Sequence, residues 1–241
     1  MDNKRDGLIV VILAAGKGTR MKSNKPKVFH KINNKTMLEM VVNTSLSLHP
    51  SKVIIVVSNE NKEQIKNLIG DKATYCVQTN INGTASAVLA AEKEYKNNNI
   101  LVLLGDVPLI TCKTLSNVVD SKMNGVIVGF NDDNKDNRFG RLILNDNKVE
   151  KIVEYNEASE EERNISTVNS GMLYLKHKYT HLLHLIDNNN SKKEYYLTDI
   201  VKIMNDNHCD IEYIEGTKKE CMGINTPEDL EYVIYSRSLL Q

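Results

Sequence analysis

Four short runs in this chain are apolar without any polar alternation: Leu8–Leu13 (LIVVIL), Val53–Val57 (VIIVV), Ile100–Leu104 (ILVLL) and Val126–Val128. A strand with no inside–outside alternation is covered on both faces, as strands inside parallel sheets are. Helical patterns separate the runs. Thr36–Leu48 groups Met37, Leu38, Val41 and Val42 on one side, and Lys62–Ile69 groups Ile65, Leu68 and Ile69. Thr84–Tyr95 is rich in alanine, and Thr114–Met123 groups Leu115, Val118 and Val119. The succession βαβαβαβ predicts the α/β class: a Rossmann-like open, mostly parallel sheet flanked by helices on both faces.

Beyond about residue 130 the pattern changes. Asn131–Asn137 (NDDNKDN) is a polar loop, and RLILNDNKVEKIVEY reads as a β-hairpin turning at Asn145–Lys148. STVNSGMLYL offers another strand, and His177–Ile186 reads as helical. The closing stretch TPEDLEYVIYSRSLL suits a helix, with Thr226 as N-cap, Pro227 at the first helical position and Asp229 as capping partner. With no repeat and no low-complexity linker, residues 1–241 read as a single domain. Its first half runs over about 1–130, a mixed β-hairpin lobe over about 131–225, and a C-terminal helix over about 227–241.

Composition narrows the function classes. Lys+Arg and Asp+Glu are both 31, so the formal net charge is zero, which argues against a nucleic-acid binder with its basic face. It leaves room for a local basic funnel toward a small anion. LIVVILAAG is too short for the apolar core of a signal peptide plus a cleavage site, and no run reaches the ~20 residues that span a membrane. Cys76, Cys112, Cys209 and Cys221 are too widely spaced for a zinc pattern. They read as reduced, mostly buried thiols of a cytoplasmic protein.

In open α/β sheets ligands bind beyond the carboxyl ends of the strands. Two stretches fall there: LAAGKGTRM after the first strand and GDVP after the third. The first matches neither the P-loop, since Gly16 and Gly18 are two apart and Thr19 follows, nor the dinucleotide fingerprint, whose third glycine is replaced by Met21. Gly16 and Gly18 permit close backbone approach and unusual torsions. Free N–H groups in such a loop can hold an anion, and Arg20 and Lys27 add charge where phosphates would sit. The plainer reading is a tight turn followed by a solvated basic loop. Asp106, at the end of the third strand, is placed either to hold Mg²⁺ or to shape the turn before Pro108.

Other candidates are weaker. His177, His181 and His184 fall at i, i+4 and i+7, on one helix face, but the glutamate of H-E-x-x-H is absent. Asp132, Asn134 and Asp136 imitate the start of an EF-hand, yet Asn137 replaces the needed glycine and Ile143 the glutamate. No serine or cysteine carries a nucleophile motif.

Taken in order, LAAGKGTRM, PKVFH, NGTASA, LLGDVPL, VNSGM, EYYLTDI and GINTPEDL resemble the N-terminal uridylyltransferase domain of the bacterial bifunctional proteins that make UDP-N-acetylglucosamine. The loop motif alone is shared by many sugar-nucleotide pyrophosphorylases; PKVFH, NSGM and EYYLTDI narrow the likeness. The resemblance implies transfer of UMP from UTP to N-acetylglucosamine 1-phosphate, releasing pyrophosphate, with a nucleotide half and a sugar lobe. It puts Arg20 and Lys27 at the phosphates as catalytic cations. It puts Leu13, Ala14, Ala15, Gly16, Leu104 and Gly105 along the nucleotide, and Gln78, Gly83 and Thr84 at the uracil. Asp106 and Asn225 would hold Mg²⁺. Gly140, Glu154 and Asn169, with Tyr196 and Thr198, would face the sugar. The partners are then the two substrates, with neither nucleic acid nor membrane. The alternatives are a related nucleotidyltransferase for another base or sugar phosphate, and a nucleotide-binding regulatory protein without turnover.

This chemistry needs no general base, because a phosphate monoester is largely ionised at pH 7 (second pKa ~6). Three positions depart from the family. Leu104 stands where an aromatic residue is common, Ala85-Ser86 where Gly-His is common, and Ser170 where Thr is usual. The family's left-handed β-helix of hexapeptide repeats, which carries acetyl transfer and trimerises the protein, has no counterpart before Gln241. The expectation is therefore no β-helix domain, acetyl transfer left to another chain if it occurs, and an open oligomeric state.

Overall fold

The computed structural model describes residues 5–23 and 25–238. Nine strands form one sheet: β1 (Arg5–Leu13), β4 (Pro50–Val57), β5 (Thr74–Val77), β6 (Asn99–Leu104), β7 (Gly125–Asn131), β8 (Arg141–Asn145), β9 (Lys148–Val153), β10 (Thr167–Leu175) and β11 (Ile211–Glu215). A separate small hairpin joins β2 (Lys31–Ile32) to β3 (Lys35–Thr36). The helices are α1 (Met37–Leu46), α2 (Lys62–Ile69), α3 (Thr84–Leu89), α4 (Glu92–Tyr95), α5 (Cys112–Val119), α6 (Glu160–Arg163), α7 (Ile200–Asp206), α8 (Lys218–Cys221) and α9 (Pro227–Ser238). The last three residues of the expected closing helix lie outside the described residues.

The sheet order is β5-β4-β1-β6-β10-β7-β11-β9-β8. Strands β5, β4, β1 and β6 run parallel, β10 runs antiparallel between β6 and β7, and β11 is parallel to β7. The α5 crossover therefore does not connect neighbours: β10, a late strand, fills the place beside β6. Strand β1 shows why both faces are covered. Leu8, Val10 and Ile12 join one core, and Ile9 and Val11 the other, with Val10, Val11 and Ile12 fully buried. Each such side chain contributes about 1.5–3 kcal/mol of burial.

Local signals explain most boundaries. Thr36 and Glu39 form a reciprocal capping box at α1, and Thr226 and Asp229 another at α9. The hairpin turns at Asp146, whose φ is +53°, between β8 and β9. Three expectations are corrected. Thr84–Tyr95 is two helices, because the chain departs from α geometry at Ala91 (φ −98°, ψ 3°). His177–Leu185 is 3-10 rather than α. With three residues per turn, His177 does not share the face of His181 and His184. Cys209 and Cys221 are buried, whereas Cys76 and Cys112 are only partly so; all four are free thiols.

Candidate active site

The carboxyl ends of β1, β4, β5 and β6 meet at one edge, and short backbone contacts fix the chain there. Gly105 N donates to Leu13 O at 2.9 Å, and Ala14 N to Val56 O at 2.8 Å. Asn61, on the turn before α2, donates from Nδ2 to Ala14 O at 2.9 Å. Leu13, Ala14 and Ala15 thus continue β1 as a pinned ribbon, and Gly105 lies beside it. Past them the two glycines differ. Gly18 has φ +61°, and a Cβ there would stand 2.5 Å from Lys27 Cβ. Gly16 is exposed with open space around it and has no left-handed torsion. The steric requirement expected of both belongs to Gly18 alone.

Four expected residues from three distant segments form one network. The Lys27 ammonium pairs with the Asp106 carboxylate and donates to Asn225 Oδ1 at 3.0 Å. Arg20 donates to the same Asn225 oxygen at 2.9 Å. The Asp106 carbonyl accepts from Ile224 N at 2.9 Å, tying the end of β6 to the segment before α9. Asn225 N and Thr226 N both donate to Asp229 Oδ2, at 2.8 and 2.9 Å, so the helix cap also orients Asn225. Lys17, Lys22, Lys25 and Lys31 are exposed.

A cavity of about 620 Å³ opens beside this network and reaches into the second lobe. Arg20, Thr84, Leu104, Asp106, Gly140, Glu154, Asn169, Thr198 and Asn225 line it. Lys27 stands just behind Asp106. Leu13, Ala14, Ala15, Gly16, Gln78, Gly83, Gly105 and Tyr196 lie off this cavity; the first four and Gly105 form the strand-end ribbon, whereas Gln78 and Gly83 sit at the end of β5. There the Asn82–Ala85 segment is clasped by EYYLTDI: Tyr195 N donates to Asn82 O at 2.8 Å and Ala85 N to Tyr195 O at 3.0 Å. Gly83 has φ +129°, and any Cβ would collide with the Tyr195 backbone.

On the sugar-lobe side, Thr198 Oγ1 donates to Glu154 Oε1 at 2.9 Å. Burial pushes the Glu154 carboxyl above its ordinary range, with the Thr198 bond pulling the other way. Burial, then the Glu154 charge, pushes the Tyr196 phenol up to about 12. Asn169 sits where β10 bulges, and its N donates to Gly140 O at 2.8 Å. Ser170 donates from Oγ to Val128 O at 2.5 Å. Leu104 packs over Gly171, whose added Cβ would lie 2.6 Å from Leu104 Cδ1, so the leucine fills its place against the bulge.

Sequence reasoning missed much of the far wall. Asp132, Asn134, Asp136, Asn137, Arg138 and Phe139 line the cavity, together with Lys218, Met222, Gly223 and Asp229. The EF-hand imitation is explained by turns: Asn134 N bonds Asp132 Oδ1 and Asp136 N bonds Asn134 Oδ1, both at 3.1 Å. Asp132 also accepts from Lys218 Nζ at 2.7 Å. The histidines serve the surface, His184 against Glu92 at 2.8 Å and His177 against Asn99. The side-chain signal for the loop was its density of Asn and Asp, which also fits an ordinary turn.

Among the described residues no group of three or more His, Cys, Asp or Glu side chains is placed to hold a metal ion. A site of two oxygens is present, however. One Asp106 carboxylate oxygen and Asn225 Oδ1 converge on the single Lys27 ammonium, so the pair already surrounds one positive charge. These are hard oxygen donors of the kind Mg²⁺ takes, with substrate phosphates completing its shell. Among the described residues no helix is long and apolar enough to cross a membrane.

Comparison with known proteins adds to this geometry. Residues 10–240 match the MobA-like NTP transferase domain. The bifunctional protein GlmU of Buchnera aphidicola subsp. Acyrthosiphon pisum (strain Tuc7) is 39% identical over 222 residues, covering 90% of this chain and 48% of that protein. GlmU of Streptococcus agalactiae serotype V (strain ATCC BAA-611 / 2603 V/R) is 39% identical over 200 residues, 80% of this chain and 43% of that one. The chain thus spans about half the length of the curated relatives it matches. A UDP-glucose pyrophosphorylase solved with UDP-glucose superposes with TM-score 0.74 at 16% identity, covering 97% of this chain and 99% of that one. A putative glucose-1-phosphate thymidylyltransferase from Bacillus anthracis, in complex with a sucrose, gives TM-score 0.75 at 19% identity, covering 95% and 94%. These two likenesses concern the fold.

Proposed function

The chain belongs to the MobA-like NTP transferase family, and from that premise we propose that it transfers UMP from UTP to N-acetylglucosamine 1-phosphate, giving UDP-N-acetylglucosamine and pyrophosphate. The observation that carries the proposal is the convergence of Arg20, Lys27, Asp106 and Asn225 at the strand ends, opening onto a cavity that Glu154, Asn169 and Thr198 close. Identity to GlmU proteins over most of the chain supports the choice of base and sugar.

In this reading an oxygen of the sugar phosphate attacks the α-phosphorus of UTP, a new P–O bond forms, and the bond to the β-phosphate breaks as pyrophosphate leaves. The attacking oxygen is already ionised, so no residue need remove a proton. The task of the protein is positioning and charge stabilisation. Arg20 and Lys27 meet the negative charge that grows on the transferring and leaving phosphates, and Arg20 can do so with two parallel N–H groups. Asp106 and Asn225 would hold Mg²⁺, which when bound supplies further charge neutralisation at the phosphates. Glu154 accepts a sugar hydroxyl beside the Thr198 hydroxyl, and an analogue lacking it leaves one carboxylate oxygen without that partner. Residues 1–130 then form the nucleotide half and residues 131–225 the sugar lobe of one domain. Free thiols suit a cytoplasmic setting.

The test is pyrophosphate release across a panel of UTP, CTP, dTTP, ATP and GTP against N-acetylglucosamine 1-phosphate, glucose 1-phosphate and methylerythritol phosphate, with Mg²⁺. UTP with N-acetylglucosamine 1-phosphate should give the highest kcat/KM. Asp106→Ala should lose turnover by about 10²-fold or more while the thermal transition stays cooperative. A different best pair reassigns the substrates. Wild-type turnover in Asp106→Ala removes that carboxylate from the site.

A further inference from the structure

The Gln78 side chain is buried beyond the end of β5, and its carboxamide is wired on one side. Nε2 donates to the Gly83 carbonyl at 3.0 Å and to Ser86 Oγ at 2.8 Å. The Ser86 hydroxyl proton goes to the same Gly83 carbonyl, at 2.8 Å. These three contacts decide which way the amide faces. A carbonyl oxygen only accepts, so the end of Gln78 that meets Gly83 must be the nitrogen. A flipped amide would set Oε1 against the Gly83 oxygen, and the one Ser86 proton could satisfy only one of the two. Both Nε2 protons are therefore committed to the protein. Oε1 takes no hydrogen bond from any described residue, and it is not sealed off from its surroundings. Its position is that of an acceptor held ready.

We propose that Ser86, at a position where the resembled family commonly has histidine, is a positioning residue that sets base choice by presenting Gln78 oxygen-first. The proposal rests on the reading above that Gln78 faces the nucleobase. An acceptor fixed at that point suits a base offering N–H, as the N3 imide of uracil or thymine does. Cytosine offers a lone pair at N3, so it meets Oε1 as acceptor against acceptor. Discrimination of this kind is strong because the mismatched pair leaves a desolvated polar group unsatisfied. The serine suits this task because one hydroxyl can accept from Gln78 while donating to Gly83.

The experiment measures equilibrium affinity for UTP and CTP by calorimetry, and kcat/KM for both nucleotides, in the wild type, Ser86→Ala and Ser86→Thr. In Ser86→Ala the Gly83 carbonyl alone still favours the native amide orientation, so the UTP:CTP ratio should fall about fivefold to tenfold, not vanish. It should fall mainly through better CTP use. Ser86→Thr keeps the hydroxyl and should keep the ratio. An unchanged ratio in Ser86→Ala, with both nucleotides weakened equally, would overturn the proposal, since a merely structural serine acts on both alike. Equal affinity of the wild type for UTP and CTP would also overturn it. Failure of the transfer reading is distinct: UTP would bind preferentially, and lose that preference in Ser86→Ala, without any pyrophosphate release.

Discussion

At Gly18 the backbone turns through φ +61°, and a Cβ there would stand 2.5 Å from Lys27 Cβ. The absent side chain is what lets Lys27 close onto Asp106 and Asn225. A half-buried ammonium between two oxygens is a charge already oriented, and its value should be largest when charge develops on the phosphates. Lys27→Ala should lower kcat by roughly 10²–10³-fold while KM for UTP changes by about threefold or less. Initial-rate kinetics over both substrates checks this; a rise in KM alone would make Lys27 a ground-state binder. Much of this residue set was legible in the sequence. Arg20, Lys27 and Asp106 follow strand ends in stretches whose residue types already suggest phosphate and cation. Asn61 was not legible, because nothing in a turn asparagine says that its amide reaches the Ala14 carbonyl from the neighbouring strand.

At the scale of elements, the far wall of the cavity depends on a fully buried arginine that, among the described residues, forms no ion pair with a carboxylate. Arg141, on β8, donates to Asn137 Oδ1 at 2.7 Å and to Phe139 O at 2.5 Å. It reaches Asn137 O and Lys135 O at 3.3 and 3.4 Å, and from Nε it reaches Arg163 O at 3.3 Å. Its guanidinium also lies 5.7 Å from the Tyr155 ring centroid. One side chain thus satisfies carbonyls of the loop that runs from Asn131 to Gly140 and of the end of α6, and burial lowers its pKa. Arg141→Leu would leave those acceptors dry and unpaired, at a cost of about 2–4 kcal/mol. Differential scanning calorimetry should record the lower Tm. Kinetics should show KM for the sugar phosphate rising severalfold and KM for UTP holding, because the loop belongs to the second lobe and walls the cavity on the side of Glu154 and Asn169. An equal rise in both would mean that the loop supports the nucleotide half as well. From sequence this arginine is indistinguishable from any strand residue; its role comes from backbone atoms brought to it by folding. Strands Thr74–Val77 and Ile211–Glu215 escaped for a related reason. They are short and carry no full apolar run, so sheet pairing rather than composition makes them strands.

For the molecule as a whole, parallel strands covered on both faces were legible, and the sheet order was not. Nothing local says that β10 inserts antiparallel between β6 and β7, since that position depends on pairing between segments about 70 and 45 residues apart in sequence. The same insertion carries Asn169 and the β10 bulge to the cavity and makes the two halves share one sheet. The fold also gathers acids from separate segments around Asp199. Burial pushes the Asp199 carboxyl up to about 6, and Asp187 and Glu154, followed by Glu157, push the same way against Lys202. A carboxyl whose folded pKa lies above its unfolded value adds stability below the unfolded pKa. That contribution is lost as pH rises through the folded one. The wild type should therefore lose stability between about pH 4 and pH 6 on account of this group. Asp199→Asn keeps the shape and removes the charge, so its Tm should match the wild type near pH 4 and exceed it from pH 6 upward. The gap should grow across that window and then stay level. Half-exposure and screening keep the gain modest, and added salt should shrink the part due to the neighbouring acids while leaving the part due to burial. Calorimetric Tm across pH 4 to 8, at low and high salt, measures both parts. A gap that is constant with pH would mean that the substitution acts through packing and that Asp199 carries no folding-linked proton.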